Sequence, residues 1–264
     1  MAKKGVKKIV PRLRLPEFRN DGAWDVDPLT KVAQFITEKG PIGDATVSDF
    51  VSTENLLPDY GGKATSAKLP SAGAATRYQI GDVLISNIRP YLRKVWTADQ
   101  NGYASNDVVV IRARGGLSKA YLSVVLTNDA FIAYVMRGAK GVKMPRGDIS
   151  SMHEYAVAYP GPAEQKKIAD CLTSLDDVIA AQGRKVEALK AHKRGLMHQL
   201  FPREGETVPR LRFPDFRDAS EWEDVAIGSL GEVITGNTPA TSRPEYYGGD
   251  RHSCRQRIFR IYVL

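Results

Sequence analysis

The sequence predicts an α+β protein: one mixed α/β domain, a long coiled-coil helix behind it, and the truncated start of a second copy of the same unit. Three observations predict this. Residues 10–19 (VPRLRLPEFR) return as residues 208–217 (VPRLRFPDFR) with eight identities in ten, and at the same offset of 198 Trp24 meets Trp222, Leu29 meets Ile227, Ile36 meets Ile234 and Thr37 meets Thr235. An ungapped match of that density is a duplication, with a period of about 200 residues. Between the two starts, strand-like and helix-like stretches are mingled without the βαβ alternation of a doubly wound sheet. Residues 163–200 then carry nearly five heptads of apolar seam.

Taken in order, residues 46–53 have a strand-like pattern leading into a turn at 55–62. The clearest strands are 80–87 (IGDVLISN), 91–96 and 103–112 (YASNDVVVIR), rich in Val and Ile with turn residues between them. Residues 118–136 have helical spacing through Leu122, Val125 and Leu126, then Phe131, Ile132 and Val135. A loop follows at 137–148, with Gly138, Gly141, Pro145 and Gly147 among Lys140, Lys143 and Arg146, and 153–159 reads as a last short strand. The expected division is a domain over 1–160, the helix over 161–201, and the second start over 202–264.

The helix is the element the rest hangs from. Its seam positions are Ile168, Leu172, Leu175, Ile179, Gln182, Val186, Leu189, Lys193, Leu196 and Leu200, alternating in steps of four and three. Pro160 and Pro162 stop the preceding chain, and Phe201-Pro202 closes the far end. Gly183 and Gly195 each weaken it by about 1 kcal/mol relative to Ala, so propensity alone does not hold it. It needs a partner helix. A Gln at the centre of the seam suits a register role, because a buried amide is satisfied only opposite another polar group. Cys171, beside the seam, is expected as a small buried thiol, and with Cys254 it makes neither a disulfide framework nor a zinc site.

Charge narrows the function. The net +8 is carried by the ends: residues 1–14 hold six Lys/Arg and residues 251–264 hold four, with no acid in either, which leaves −2 for residues 15–250. Within the interior, residues 86–146 set ten Lys/Arg against Asp99, Asp107 and Asp129, a local +7 suited to a polyanion. No apolar run approaches the roughly 18 residues of a membrane span, and the basic start lacks the apolar core of a secretory signal, so a cytoplasmic protein is expected. The abrupt change of character at about residue 251 reads as an interrupted reading frame.

Catalytic motifs are absent. There is no GxxxxGK[ST], no GxGxxG after a strand, no HExxH and no GxSxG; of the four histidines only His192 and His198 approach a metal spacing, and, six apart on different helix faces, they read as surface residues. Metal-dependent nuclease chemistry needs clustered carboxylates, yet residues 86–146 contain no Glu. What remains suits nucleic acid. Arg89, Tyr91, Arg93 and Lys94 interleave cations with an aromatic, and Lys140, Lys143 and Arg146 lie in the Gly/Pro loop; Ser105 and Asn106 are weaker polar candidates. Arg and Lys neutralise phosphates, Arg reads guanine bidentately, and Asn reads adenine.

Together, GDVLISNIRPYLRK (81–94), ASNDVVVIR (104–112), PGPAEQKKIADCLTSLDDVIAAQ (160–182), LMHQLFP (196–202) and the second start with GNTP and YYGGD (236–250) resemble the specificity subunit of type I restriction–modification systems. That resemblance implies a non-catalytic subunit with two target recognition domains, each followed by a long helix, the helices packing antiparallel to hold the domains on a bipartite double-stranded DNA site. Modification subunits docked on this frame methylate adenine with S-adenosylmethionine, and restriction subunits add ATP- and Mg-dependent translocation and cleavage; no cofactor belongs to this chain. Here one recognition domain and one helix stand where the family has two of each, so the expectation is a truncated or half-length subunit, which if active could rebuild the frame by pairing through its helix with a second copy or with another specificity subunit. The rival expectation is an interaction protein whose helix binds modification or other specificity subunits without reading DNA. A stand-alone nuclease or methyltransferase is disfavoured by the missing motifs.

Overall fold

A computed structural model describes residues 7–231, 233–235 and 259–261. The sequence over 236–258, which holds the whole GNTP to YYGGD motif and the start of the basic tail, lies outside the described residues. The chain divides into two compact units, Met1–Ala180 and Ala181–Leu264.

The first unit is built on three small sheets. β1 (Lys7–Ile9), β2 (Trp24–Pro28) and β11 (Ala156–Tyr159) form one, in the order β1-β2-β11. β3 (Ala33–Ile36), which follows the one-turn helix α1 (Leu29–Val32), joins β10 (Val108–Ala113), β7 (Val83–Ser86) and β8 (Val95–Thr97) in the order β3-β10-β7-β8, all antiparallel. β4 (Lys39–Pro41), β6 (Ala74–Tyr78), β9 (Gly102–Ala104) and β5 (Phe50–Val51) form the third, with β5 parallel to β9.

The central sheet explains why its strands read as continuous apolar runs rather than alternating ones. Val83, Ile85, Val95, Val109 and Ile111 face a core with Leu122, Leu126, Phe131, Val135 and Met152 from three helices. Leu84, Trp96, Val108 and Val110 face the other way, onto Val51, Leu56, Tyr78 and Ala104. Both faces are buried, so period-two alternation disappears.

The helices covering the first face are α2 (Lys119–Leu126), α3 (Asp129–Arg137) and α4 (Ile149–His153). The helical spacing expected across 118–136 is broken at Thr127–Asn128. The Asn128 side chain accepts the Ala130 N–H and so caps a new helix, while the Thr127 hydroxyl back-bonds to the Ser123 carbonyl. Other expected boundaries also shift. Residues 91–96 begin as a 3-10 turn (Pro90–Leu92) and become strand only at Val95; the 46–53 strand shrinks to β5; 153–159 starts as the end of α4; and a turn at 105–107 separates β9 from β10.

α5 (Pro162–Leu200) is continuous for 39 residues, about 58 Å at 1.5 Å per residue. Its first turn is fastened to the domain. Gln165, 1% exposed, accepts the Ser118 N–H and donates to the carbonyls of Gly116 and Pro160. The Arg14 guanidinium grips Glu164 with two hydrogen bonds, Nε to Oε1 at 2.8 Å and Nη2 to Oε2 at 2.6 Å. Cys171 is exposed rather than buried, because it sits on a turn of α5 that the domain does not cover. No helix among the described residues is long and apolar enough to cross a membrane.

One pairing beneath α5 has a pH consequence. Asp27, 8% exposed, accepts from Lys31 Nζ at 2.7 Å and from the Tyr159 hydroxyl at 2.7 Å, and these two bonds, Lys31 first, hold its carboxyl below the usual 3.8. A lowered carboxylate stabilises the fold fully above its ordinary pKa, and that stability is lost as pH falls through the lowered value. Tyr159→Phe is therefore expected to destabilise by about 1.5 kcal/mol at neutral pH, the worth of a hydrogen bond to a charged group. The difference from the parent should shrink below pH 3.8, as urea unfolding at a series of pH values would register.

In the second unit, Pro214–Phe216 forms a 3-10 turn, Phe201 and Trp222 stack edge to face at 5.6 Å, the short helix α6 spans Ile227–Leu230, and β12 (Val233–Thr235) pairs antiparallel with β13 (Phe259–Ile261).

Candidate nucleic-acid interface

Three loops at one end of the central sheet meet. The first leaves β7 at Asn87 and runs to Lys94 before β8. The second is the Ser105–Asp107 turn entering β10, closed by the Val108 N–H bonding the Ser105 carbonyl. The third is the Gly/Pro loop after α3. Asn87 N donates to the Asp107 carbonyl, Gly147 N to the Asn87 carbonyl, and Arg89 N to the Pro145 carbonyl. Within the third loop, Lys140 and Arg146 exchange both backbone hydrogen bonds at 2.9 Å, and the Arg146 guanidinium reaches back 2.9 Å to Asp107. Gly147 makes this convergence possible, because a Cβ there would stand 2.8 Å from Asn87 Oδ1 and 2.7 Å from Met152 Cε.

The first loop is held in an uncommon backbone state. Arg89 and Arg93 both adopt left-handed φ, 51° and 52°, on either side of the Pro90–Leu92 turn. A second loop with the same feature, Asp59 (φ 52°) and Tyr60 (φ 58°), locks onto it: Asp59 N bonds the Leu92 carbonyl and Tyr60 N the Arg93 carbonyl. Four non-glycine residues in that region make a local reservoir of strain of the kind that clusters at binding sites. Two polar atoms here, Asn87 Oδ1 and Arg89 Nε, are buried without a hydrogen-bond partner.

The residues singled out from sequence divide into two groups. Arg89, Ser105, Asn106, Lys140 and Arg146 stand on the three converging loops, with Tyr91 exposed on the first and Lys143 exposed on the third. Arg93 and Lys94, at the end of the first loop, direct their charge within the domain. Arg93 pairs with Asp59 at 3.0 Å and Asp129 at 3.3 Å, and Lys94 Nζ donates to the Thr53 carbonyl at 2.6 Å. Lys140 lies 3.7 Å from Asp148, and Asn106 accepts from Lys39 Nζ at 2.9 Å. Lys39 escaped sequence reasoning because it lies 67 positions from Asn106, on β4, and only the fold brings it to this surface. At the tip of the third loop Val142 and Met144 are also exposed.

On α5, Leu172, Leu175, Ile179, Val186 and Leu189 of the seam are exposed, between 40% and 68%. Leu172, Leu175 and Ile179 also line an open cleft of about 500 Å³ with Tyr60, Val124 and Asp129. Ile168, Leu196 and Leu200 are partly covered, and Gln182 is exposed.

No family model matches the chain. Over 107 residues it is 23% identical to the type I restriction enzyme MjaVIII specificity subunit of Methanocaldococcus jannaschii, a stretch covering 39% of this chain and 25% of that protein. Its fold is similar to that of the type I restriction-modification system S subunit from M. genitalium, with a TM-score of 0.54 and 14% identity over 89% of this chain and 59% of that one. The HsdS subunit from Thermoanaerobacter tengcongensis aligns with a TM-score of 0.49 and 20% identity over 83% of this chain and 57% of that one. The chain thus spans less than two thirds of the length of the relatives it matches.

Proposed function

We infer that this chain is a specificity subunit of the type I restriction–modification family, a non-catalytic protein that reads double-stranded DNA for modification and restriction subunits. The observation that carries the DNA reading is the convergence of the Asn87–Lys94, Ser105–Asp107 and Gly138–Gly147 loops on one surface that presents Arg89, Lys143 and Arg146. Rigid loops offering cations and amides are what base-edge and phosphate recognition require. Adenine methylation with S-adenosylmethionine, and ATP- and Mg-dependent restriction, are the work of the partner subunits. The exposed seam of α5 suits a second helix, and with a second copy of the chain it would make an antiparallel, two-fold symmetric frame. Such a frame reads an interrupted palindrome.

A methylation map of DNA from cells expressing the chain with its cognate modification subunit tests this. N6-methyladenine in an interrupted palindrome, lost on deletion of the chain, is the expected result. An asymmetric bipartite site would mean that a different specificity subunit supplies the other half. Partner binding with no site-specific methylation would sink the DNA reading and leave the exposed seam as a surface for sequestering subunits.

Two substitutions separate the contacts. Lys143→Ala should weaken binding to all sequences alike and reduce the slope of log affinity against log salt by about one unit. Arg89→Ala should reduce affinity for the cognate site by about 1–3 kcal/mol and relax one base position. Filter binding at several salt concentrations, on cognate and scrambled duplexes, measures both. Wild-type behaviour in both variants would remove this surface from the DNA.

A further inference from the structure

We propose that the second repeat start is a socket for the first turn of a helix beginning Pro-Ala-Glu, presented by a further repeat unit, with Arg212 gripping its carboxylate. This does not depend on the DNA reading. The duplication in sequence returns in the fold as the same backbone turn closed by an arginine. Phe18 N bonds the Leu15 carbonyl at 3.0 Å, and Phe216 N bonds the Phe213 carbonyl at 2.9 Å; Arg19 N to Pro16 and Arg217 N to Pro214 are both 3.4 Å. Arg14 Nη1 donates to the carbonyls of Asp21 and Gly22, at 2.7 and 3.0 Å. Arg212, 198 positions on, donates through Nη1 to the carbonyls of Phe216 and Ala219 and through Nη2 to that of Ser220, the last two being Asp21 and Gly22 displaced by the same 198.

The two guanidiniums differ in what lies beyond them. Arg14 turns Nε and Nη2 onto Glu164, in a pair whose side chains are 8% and 3% exposed. Arg212 Nε is buried with no hydrogen-bond partner, a costly state for a charged donor. Around Arg14, the cleft lined by Phe18 and Trp24 also includes Pro160, Pro162 and Glu164, the start of α5. Around Arg212, the equivalent Phe216 and Trp222, with Phe201, Leu211 and Phe213, line an apolar cleft of about 320 Å³ that contains no helix start. Phe213, Phe216 and Trp222 are exposed, whereas Leu15, Phe18 and Trp24 are half-buried. The second site therefore has the apolar walls and the cation of the first, without the Pro-Ala-Glu turn that fills it. Glu164 of a second folded copy does not suit this role, because it is already buried against its own Arg14. The occupant is a separate helix start of the same composition.

The probe is a fluorescent peptide with the sequence of residues 159–182, its cysteine replaced by serine, titrated into the full chain and followed by polarisation. Saturable one-to-one binding is expected. Arg212→Met in the chain, or Glu164→Gln in the peptide, should each weaken it about tenfold or more, the loss of a bidentate charge-assisted contact. Arg14→Met in the chain should leave it in place. Comparing the two peptides on the unaltered chain keeps the test valid should Arg212→Met fail to fold. The Glu164→Gln peptide keeps every seam residue, so coiled-coil pairing with α5 would not distinguish the two. Absence of saturation at millimolar peptide, or affinities unchanged by both substitutions, would overturn the proposal. So would a shift of the chain from dimer to monomer on Arg212→Met, which would make the occupant a second copy.

Discussion

Arg112→Met is expected to destabilise the first unit by about 3–5 kcal/mol, the largest stability effect of any single polar substitution in the central sheet. Arg112 on β10 holds Asp82 with two hydrogen bonds, Nε to Oδ1 and Nη2 to Oδ2, both 2.7 Å. The side chain of Asp82 is 1% exposed, whereas that of Arg112 is 27% exposed. The two partners are therefore not equivalent. Removing the arginine leaves a carboxylate with no route to water, while removing the aspartate leaves a guanidinium that can still be hydrated. Asp82→Asn should accordingly be the milder change. The carboxylate also accepts the Gln79 N–H at 2.8 Å and so fixes the turn that starts β7. Because both residues act through one contact, the double variant should lose less than the sum of the singles. Urea unfolding of the four proteins measures the cycle. Equal losses from the two single variants would mean that the asymmetry of burial does not govern this pair.

How much of this was legible in the sequence follows from how local each signal is. β7 and β10 announced themselves, because strands buried on both faces are rich in Val, Ile and Leu; Val83–Ser86 falls inside the stretch expected to be strand, and Val108–Ala113 runs one residue past its own. The fold class, a mixed α+β domain followed by a long helix, agrees with the fold shared with the M. genitalium S subunit. Boundaries were less legible, since they depend on competition between a side-chain cap and the continuing helix, as at Asn128, or on left-handed backbone at Arg89 and Arg93. Nothing about an arginine signals positive φ. The Arg14–Glu164 and Gln165 contacts were hidden for another reason. Sequence showed Glu164 and Gln165 only as the opening of a helix, and their partners lie 150 and 47 positions away. The candidate DNA residues lie where cations gather in the sequence, and the fold brings their loops together. The sequence could not separate Lys143, exposed on the third loop, from Arg93, whose charge is answered by Asp59 and Asp129.

Ile179→Asp is expected to abolish self-association through α5 without unfolding the domain. Ile179 is 68% exposed in the isolated chain, so an aspartate there meets water and leaves the monomer intact. In the antiparallel pair proposed for α5, with the two Gln182 side chains near the two-fold axis, Leu175 of one copy approaches Leu189 of the other and Ile179 approaches Val186. An aspartate then replaces a buried isoleucine twice. At about 3 kcal/mol for each loss of apolar burial and unpaired carboxylate, the combined effect is roughly 6 kcal/mol, or about four orders of magnitude in the dissociation constant. Sedimentation equilibrium at micromolar concentration would read this as a dimer becoming a monomer, with circular dichroism of the domain unchanged. Gln182→Leu separates register from affinity. It removes the polar layer at the centre of the seam, so association should tighten while the helices lose their single alignment. Disulfide trapping between Cys171 and a cysteine introduced at Lys193, which oppose each other about Gln182 in this alignment, with Cys254 replaced by serine, should then give one cross-linked species in the parent and more than one in Gln182→Leu. A parent chain that stays monomeric, with Ile179→Asp indistinguishable from it, would remove the helix pair and with it the palindromic target.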